Sequence, residues 1–395
     1  MLQFFQHMQL GVYIQVPFCQ TKCTYCNFHT GVVSAARFQP YVEAVAREIR
    51  GHRMLYEEAG LVLPEALADA VVDTLYIGGG TPSLLDSGDL QRLVEAVGET
   101  FATELREVTL EADPETVEEA KARAWVRAGI NRISFGLQSF SDRELTAVGR
   151  MHRRSDVFRA VPILREAGIA NISFDLIAGL PHQTGESWSA SIAELLALAP
   201  EHISIYMLEI DEGSRLGKEV LGDGTRYSAA AVPGDDAVVG FYEFACGALA
   251  AAGYHHYEIS NWAKPGYESL HNLKYWRREA YLGFGAGAHS FSGTERWGNE
   301  HDAAAYVRAM EAGRLPVAER ETLTSERALE EELFLGLRQL DGIDLGQIEA
   351  RYGVQLANRF EGLAAGGFIE QDGPRVRLAP ARLSVSNEVF VELLR

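Results

Sequence analysis

Strand-like and helix-like segments alternate along the first two hundred residues of this 395-residue chain, and this alternation constrains its fold most. Short apolar runs predict six strands, at residues 11–16, 71–77, 107–112, 132–137, 171–177 and 202–210. Apolar residues spaced about four positions apart predict helices at residues 38–59, 89–101, 115–127, 142–149, 156–167 and 186–198. Such repeats imply parallel strands joined by right-handed crossovers. Six units fit an α/β fold, either a partial barrel or a doubly wound sheet, with chemistry at the carboxyl ends of the strands.

The composition and the predicted elements change twice along the rest of the chain. Residues 213–236 are rich in Gly, Asp and Ser and predict an irregular connection, and an apolar helix is expected at residues 238–252. Residues 254–297 concentrate aromatic residues, histidines and glycines. After residue 324, short helices precede two short strands, an order that resembles a winged helix. We therefore expect a core domain at residues 1–240, an extension packing on it at residues 241–323, and a mostly helical, winged-helix-like domain at residues 324–395.

Charge and hydropathy exclude several classes of protein. Lys and Arg number 36 and Asp and Glu 55, which gives a net charge of −19. So acidic a chain is a poor candidate for binding nucleic-acid phosphates. No apolar run reaches the length of a membrane span, and residues 1–10 lack the pattern of a secretory signal. We therefore expect a cytoplasmic location and no nucleic-acid partner.

Three of the four cysteines, Cys19, Cys23 and Cys26, lie within eight residues directly after the first predicted strand. Cysteines this close in a chain without a secretory signal indicate a metal site rather than a disulfide framework. Two kinds of site remain open. Zinc accepts three thiolates and one imidazole, which His29 would supply. A [4Fe–4S] cluster held by three thiolates would leave one iron open for a small molecule.

Polar and glycine residues follow the other predicted strands. Residues 78–80 are three consecutive glycines, which permit close backbone approach, although a plain tight turn would also explain them. Glu111 and Gln138 end strands and offer hydrogen-bonding groups. The guanidinium of Arg150 suits a carboxylate, although a solvated arginine at a helix end is equally consistent with the sequence. Asp175 lies in an apolar run, where an unpaired carboxylate is costly, so it is expected to have a partner.

These motifs resemble those of the radical S-adenosylmethionine (SAM) enzymes. The cysteine spacing is the signature of that superfamily. The order and spacing of five further motifs resemble the oxygen-independent coproporphyrinogen III oxidase family and its relatives, the HemW-type heme chaperones: residues 13–19, 78–82, 111–114, 136–140 and 175–181. The resemblance implies a partial (β/α)6 barrel that binds a [4Fe–4S] cluster through Cys19, Cys23 and Cys26, together with SAM. It further implies SAM contacts from Tyr13, Tyr25, Gly79, Gly80, Thr81, Glu111, Gln138, Arg150 and Asp175.

Three features favour the chaperone branch over the oxidase branch. Oxidases of this family carry a fourth cysteine where this chain has Phe28, and they have a longer extension before the first strand. The segment 271–276, His-Asn-Leu-Lys-Tyr-Trp, matches a chaperone motif associated with heme, which implies a role for His271 in heme binding. His255, His256 and His289 are rival heme ligands. One departure from the family is Gln15, where a histidine is usual.

Three functions follow as hypotheses. The first is a heme chaperone that delivers heme to acceptor proteins such as respiratory enzymes, with transient membrane association. The second is oxidative decarboxylation of coproporphyrinogen III. The third is a zinc-stabilised metabolic barrel. A brown anaerobic preparation containing iron and sulfide would exclude zinc, and heme retention without coproporphyrinogen turnover would favour the chaperone.

Overall fold

A computed structural model describes residues 8–61 and 63–393 of the chain. Most of its strands form one twelve-stranded sheet with the order β12-β11-β10-β9-β1-β2-β3-β4-β5-β6-β8-β7. The strands of this sheet are β1 (Gln9–Val16), β2 (Val71–Gly79), β3 (Ala102–Ala112), β4 (Arg132–Gln138), β5 (Asn171–Ala178), β6 (His202–Met207), β7 (His255–Glu258), β8 (Asn261–Ala263), β9 (Tyr281–Phe284), β10 (His289–Phe291), β11 (Glu295–Asn299) and β12 (Val317–Thr322).

Strands β1 to β6 are parallel and lie side by side in chain order, which confirms the predicted partial barrel. The helices along the barrel and the extension are α1 (Phe38–Glu58), α2 (Glu65–Ala68), α3 (Ser87–Thr100), α4 (Glu119–Arg127), α5 (Asp142–Ala147), α6 (Arg154–Ala167), α7 (Gly185–Leu198), α8 (Arg215–Leu221), α9 (Asp235–Ala251), α10 (Leu270–Trp276) and α11 (Ala303–Glu311).

The pattern of buried side chains explains why these elements form. Val12, Ile14 and Val16 alternate along β1 and are fully buried. Helix α1 buries Val45 and Ile49 at four-residue spacing, which places one apolar stripe against the sheet. None of the helices in the described ranges is both long enough and apolar enough to span a membrane.

Some boundaries differ from the prediction for local reasons. Helix α4 begins at Glu119 rather than at residue 115, because Pro114–Thr116 form a separate 3-10 turn. The sixth strand ends at Met207 instead of residue 210. The connection expected to be irregular contains α8, capped by the Ser214 hydroxyl, which accepts a hydrogen bond from the backbone N–H of Gly217 at 2.8 Å.

Strands from residues 255–322 extend both edges of the barrel sheet. Strand β9 pairs with β1 in parallel, with Gly11 opposite Tyr281, whereas β8 pairs antiparallel with β6. Strands β10, β11 and β12 continue the sheet beyond β9. The expected division at residue 240 therefore separates segments that share one sheet, and the two boundaries between the three domains stay a prediction.

The carboxyl-terminal part has the predicted winged-helix order. Its elements are α12 (Ser325–Arg338), β13 (Ile343–Asp344), α13 (Leu345–Tyr352), α14 (Ala357–Ala365), β14 (Ile369–Asp372), β15 (Arg375–Leu378) and α15 (Ser386–Leu393). The three strands form a small antiparallel sheet with β15 in the middle. Gly373, at φ 58°, turns the chain between β14 and β15, in a left-handed conformation that glycine adopts without strain.

Helix α10 packs against the amino-terminal halves of the first barrel strands. The carboxylate of Glu107 on β3 accepts hydrogen bonds from the backbone N–H groups of Leu270 and His271, at 2.9 and 3.0 Å, and so caps this helix. The Lys274 ammonium lies 2.8 Å from the carboxylate of Asp73 on β2. Both of these side chains are only 4% exposed. The helix is therefore held to the barrel by buried charges.

Candidate functional site

The carboxyl ends of the barrel strands surround one cavity that contains the three clustered cysteines. Of the site residues expected from the sequence, this cavity is lined by Cys19, Cys23, Cys26, Tyr25, Gly79, Gly80, Thr81, Glu111, Gln138, Arg150 and Asp175. Because parallel strands end on the same side of a barrel, residues far apart in sequence meet there. The expected residues that do not line it are Tyr13 and His271.

The cysteines lie on a loop that leaves β1 and is tied to the barrel by backbone hydrogen bonds. The N–H of Cys19 donates to the carbonyl of Gly31 at 3.1 Å, and the N–H of Thr24 donates to the carbonyl of Val148 at 3.0 Å. All three thiols are partly exposed. Burial raises the pKa of Cys19. The loop therefore presents three thiols toward one space.

The glycine segment that ends β2 lies directly against β1. A Cβ on Gly79, at φ 111°, would lie 2.4 Å from Gln15 Nε2, and a Cβ on Gly80 would lie 2.5 Å from the Phe18 carbonyl oxygen. Glycine is therefore required here by the close approach of the protein's own chain. The same contact places Gln15, the residue that departs from the family, beside the cavity.

Glu111 holds this glycine segment from β3. Its carboxylate accepts hydrogen bonds from the N–H of Gly79 at 2.8 Å and from the hydroxyl of Tyr76 at 3.0 Å. Burial raises the pKa of Glu111 to about 7, although both hydrogen bonds favour the charged form. The carboxyl group can therefore hold or release a proton near neutral pH.

An ion pair between Asp113 and Arg150 lies next to the cysteines. The two side chains approach to 2.5 Å, and Asp113 also accepts a hydrogen bond from the Thr81 hydroxyl at 3.1 Å. Arg150 donates to the carbonyl of Gly136, and its Nη1 lies 3.8 Å from Cys23 Sγ. Asp113 was not among the predicted site residues, although its position just after β3 is the same signal that identified Glu111.

Asp175 and Gln138 complete the wall on β5 and β4. Burial raises the pKa of Asp175, while hydrogen bonds with Ser204 and Ser134 favour its charged form. Gln138 has a left-handed backbone, at φ 67°, which is rare outside glycine. The buried His152 donates a hydrogen bond through Nε2 to the preceding carbonyl, that of Leu137, at 3.0 Å. This bond supports the strained end of β4.

Tyr13 on β1 and His271 on α10 lie outside the cavity lining. The Tyr13 hydroxyl donates to Gln15 Oε1 at 2.6 Å. His271 is 1% exposed, and its two ring nitrogens form hydrogen bonds with the hydroxyls of Thr74 and Tyr275, each at 2.9 Å. Burial lowers the pKa of His271 to about 3, so the imidazole is neutral. No free nitrogen is left on this ring for an iron atom.

The histidines expected from the sequence as rival heme ligands or as a zinc ligand have different surroundings. His255 is exposed and lies 3.7 Å from Glu268, while the ring of His256 stacks on Trp262 at 4.0 Å. His289 lies 3.3 Å from Glu319. The ring of His29, the fourth ligand of the zinc alternative, stacks on His301 at 4.0 Å and does not line the cysteine cavity. Within residues 8–61 and 63–393, no three His, Cys, Asp or Glu side chains are placed to enclose a bare metal ion.

Two family models match this chain. Residues 13–195 match the radical SAM superfamily and residues 323–381 match the HemN C-terminal domain. The chain is 34% identical to the heme chaperone HemW of Bacillus subtilis (strain 168), over 96% of this chain and 98% of that protein. It is 31% identical to the heme chaperone HemW of Lactococcus lactis, over 97% of each chain.

A solved structure supports the fold independently. Coproporphyrinogen III oxidase (HemN) from Escherichia coli, a radical SAM enzyme, superposes with a TM-score of 0.82 over 98% of this chain and 91% of that one. The two chains are 21% identical, so the likeness concerns the fold alone.

Proposed function

Because this chain belongs to the HemW family of radical SAM proteins, we propose that it binds heme and delivers it to acceptor proteins. The observation that carries this proposal is the nearly end-to-end similarity to proteins named heme chaperones, in a chain whose cysteines line one cavity. Oxidation of coproporphyrinogen is not favoured, because the likeness to that oxidase is one of fold.

The cysteine cavity fits a [4Fe–4S] cluster and SAM. Three partly exposed thiols on one loop are the donor set of a cluster with one open iron, so Cys19, Cys23 and Cys26 would hold it. When bound, the cluster supplies one electron to SAM. The Nε of Arg150 is buried without a hydrogen-bond partner in residues 8–61 and 63–393, so this side chain retains donor capacity at the cavity wall.

The polar residues of the cavity suit the amino acid end of SAM. We assign the ammonium group of the ligand to the half-buried carboxylates of Glu111 and Asp175. Burial raises the pKa of both, and a nearby cation would offset this by favouring the charged carboxylates. Arg150 suits the carboxylate of the ligand while its pair with Asp113 keeps the guanidinium in position. Tyr25, Thr81 and Gln138 would complete the contacts, with Tyr13 supporting them through Gln15.

The heme and its destination form the second part of the proposal. We propose that the acceptors are proteins such as respiratory enzymes at the membrane. Because a carrier must meet such acceptors without residing there, we also propose a cytoplasmic location with transient contact with a membrane surface. His271 stays a predicted contributor to heme binding. Because its ring is enclosed, we expect any effect to act through the position of α10.

Anaerobic reconstitution tests the cluster assignment. Replacing Cys19, Cys23 or Cys26 with serine should abolish the incorporation of iron and sulfide. The control is Cys246→Ala, which should leave both unchanged, because Cys246 is a half-buried cysteine on α9. Loss of the cluster in Cys246→Ala, or its retention in a Cys19→Ser protein, would contradict the assignment.

A transfer assay tests the chaperone function. The reconstituted protein is loaded with heme and mixed with an apo-form of a heme protein, and transfer is followed by absorbance, with coproporphyrinogen III turnover assayed in parallel. We expect transfer faster than from free heme and no decarboxylation. Absence of heme binding together with decarboxylation would establish the oxidase instead.

A further inference from the structure

Three histidines from two distant parts of the chain lie beside the cysteine loop. His29 follows the cysteines, His289 lies on β10, and His301 follows β11. The rings of His29 and His301 stack with centroids 4.0 Å apart. Burial lowers the pKa of His289, Glu319 raises it, and the charges of His301 and His29 lower it, so both histidines lie within electrostatic range of His289. We call these three residues the histidine cluster.

The sheet itself orients one member of this cluster. His289, Gly298 and Glu319 occupy one row across β10, β11 and β12. A Cβ on Gly298 would lie 2.9 Å from His289 Cε1 and 2.7 Å from Glu319 Oε1, so glycine leaves room for the two side chains to meet across it. Nε2 of His289 lies 3.3 Å from Glu319 Oε1. When a carboxylate accepts a hydrogen bond from the protonated Nε2, the lone pair of Nδ1 remains available to a metal.

The histidine cluster has the protonation and exposure that an iron ligand needs. Burial lowers the pKa of both His289 and His29, and nearby charges lower that of His29 further, which favours the neutral ring that binds metals. The side chain of His289 is 42% exposed, so it is accessible. Nδ1 of His301 is buried and has no hydrogen-bond partner among the described residues.

We propose that the histidine cluster is the site where the heme iron is ligated, with His289 as the axial ligand through Nδ1 and Glu319 as its positioning residue. The proposal rests on the proposed heme-carrying function. A heme iron takes four nitrogens from its porphyrin and one or two ligands from the protein, so it does not need the three converging side chains that a bare ion requires. His29 and His301 then supply imidazole surface beside the macrocycle.

The position of the cluster suits a flat apolar ligand. Phe28, adjacent to His29, is 66% exposed and lines the cysteine cavity, and Val32 is 58% exposed on the same loop. Contiguous exposed apolar surface marks binding sites, and these two side chains would offer such surface to a macrocycle. Heme held here would lie next to the loop that carries the three cysteines.

Heme titration of the reconstituted protein tests this site. His289→Ala should raise the dissociation constant of heme by about 10–100-fold and replace the imidazole-ligated absorption spectrum, and added imidazole should restore that spectrum. The double variant His29→Ala, His301→Ala should weaken binding with His289 ligation retained. Glu319→Gln should shift the reduction potential of bound heme while heme still binds. His255→Ala is the matched control, since His255 is exposed beside Glu268 and lies on β7, at the opposite edge of the sheet from β10 to β12.

The outcomes separate this site from the proposed function. If wild type binds heme and His289→Ala binds it as tightly with the same spectrum, the histidine cluster is not the site, and heme transport stands. If His255→Ala is as damaging as His289→Ala, the assignment to the cluster also fails. If wild type binds no heme at all, the proposed function fails and this inference with it.

Discussion

Replacing Lys274 with methionine should destabilise the folded protein by about 3–5 kcal/mol, because it leaves a buried carboxylate without its cation. Lys274 lies 2.8 Å from Asp73, and both side chains are 4% exposed. The ammonium lies 2.8 Å from the buried Oδ1 atom of Asp73, which has no other hydrogen-bond partner among the described residues, so the ammonium is its main compensation. The second contact of Lys274, to Glu279 at 3.3 Å, involves a carboxylate that is 38% exposed and adds little.

Thermal unfolding followed by circular dichroism measures this effect. At ~2–4 °C per kcal/mol for domains of about 150–250 residues, the midpoint of the barrel transition should fall by roughly 10 °C. Adding Asp73→Asn to Lys274→Met should recover most of the loss, because the unpaired charge is then gone. Lys264→Met is the matched control, since Lys264 is 37% exposed beside Glu201 and should cost at most about 1 kcal/mol.

Two results would refute this reasoning. One is a loss in Lys274→Met no larger than in Lys264→Met. The other is a double variant no more stable than Lys274→Met alone, which would mean that the methionine disturbs packing and that the buried charge of Asp73 is not the cause.

Burial raises the pKa of Glu48 from its usual 4.5 to about 7, so the folded chain keeps a proton that the unfolded chain loses. Stability should therefore fall as the pH rises from about 4.5 to about 7, and Glu48→Gln should reduce this slope in urea unfolding series; an unchanged slope would show that other groups cause it. Gly80→Ala should distort the cysteine loop and weaken SAM binding in calorimetry, because its Cβ would meet the Phe18 carbonyl oxygen. Gly98→Ala, on α3 with open space around it, should instead stabilise by about 0.5–1 kcal/mol and leave binding unchanged; equal effects of the two substitutions would contradict the steric argument.

The sequence predicts the barrel and most of its cavity because both depend on local patterns. Apolar runs place β1 to β6, and several strand ends carry a polar residue that lines the cavity, such as Glu111 near the end of β3. By contrast, β7 and β8 have only four and three residues, too few to show a period of two. Residues 254–297 therefore look merely rich in aromatics, although they contribute strands to both edges of the sheet.

Pairings between distant residues are equally invisible in the sequence. His29 and His301 are separated by 272 positions, and only the folding of β10 to β12 beside β1 brings them together. For His271, the motif suggests a ligand, but the pattern does not show that Thr74 and Tyr275 occupy both ring nitrogens. A motif identifies a residue, whereas its exposure depends on the elements that pack around it.

The pairing of β1 with β9 has a consequence for biosynthesis. Gly11 lies opposite Tyr281, so the first strand of the barrel acquires its outer neighbour only after some 270 further residues have been made. Until then one side of β1, immediately before the cysteine loop, remains an unpaired edge on the nascent chain, open to association with other strands. Contacts so distant in sequence also form slowly. The edge of β1 that leads into the cysteine loop is therefore completed only after synthesis of most of the polypeptide.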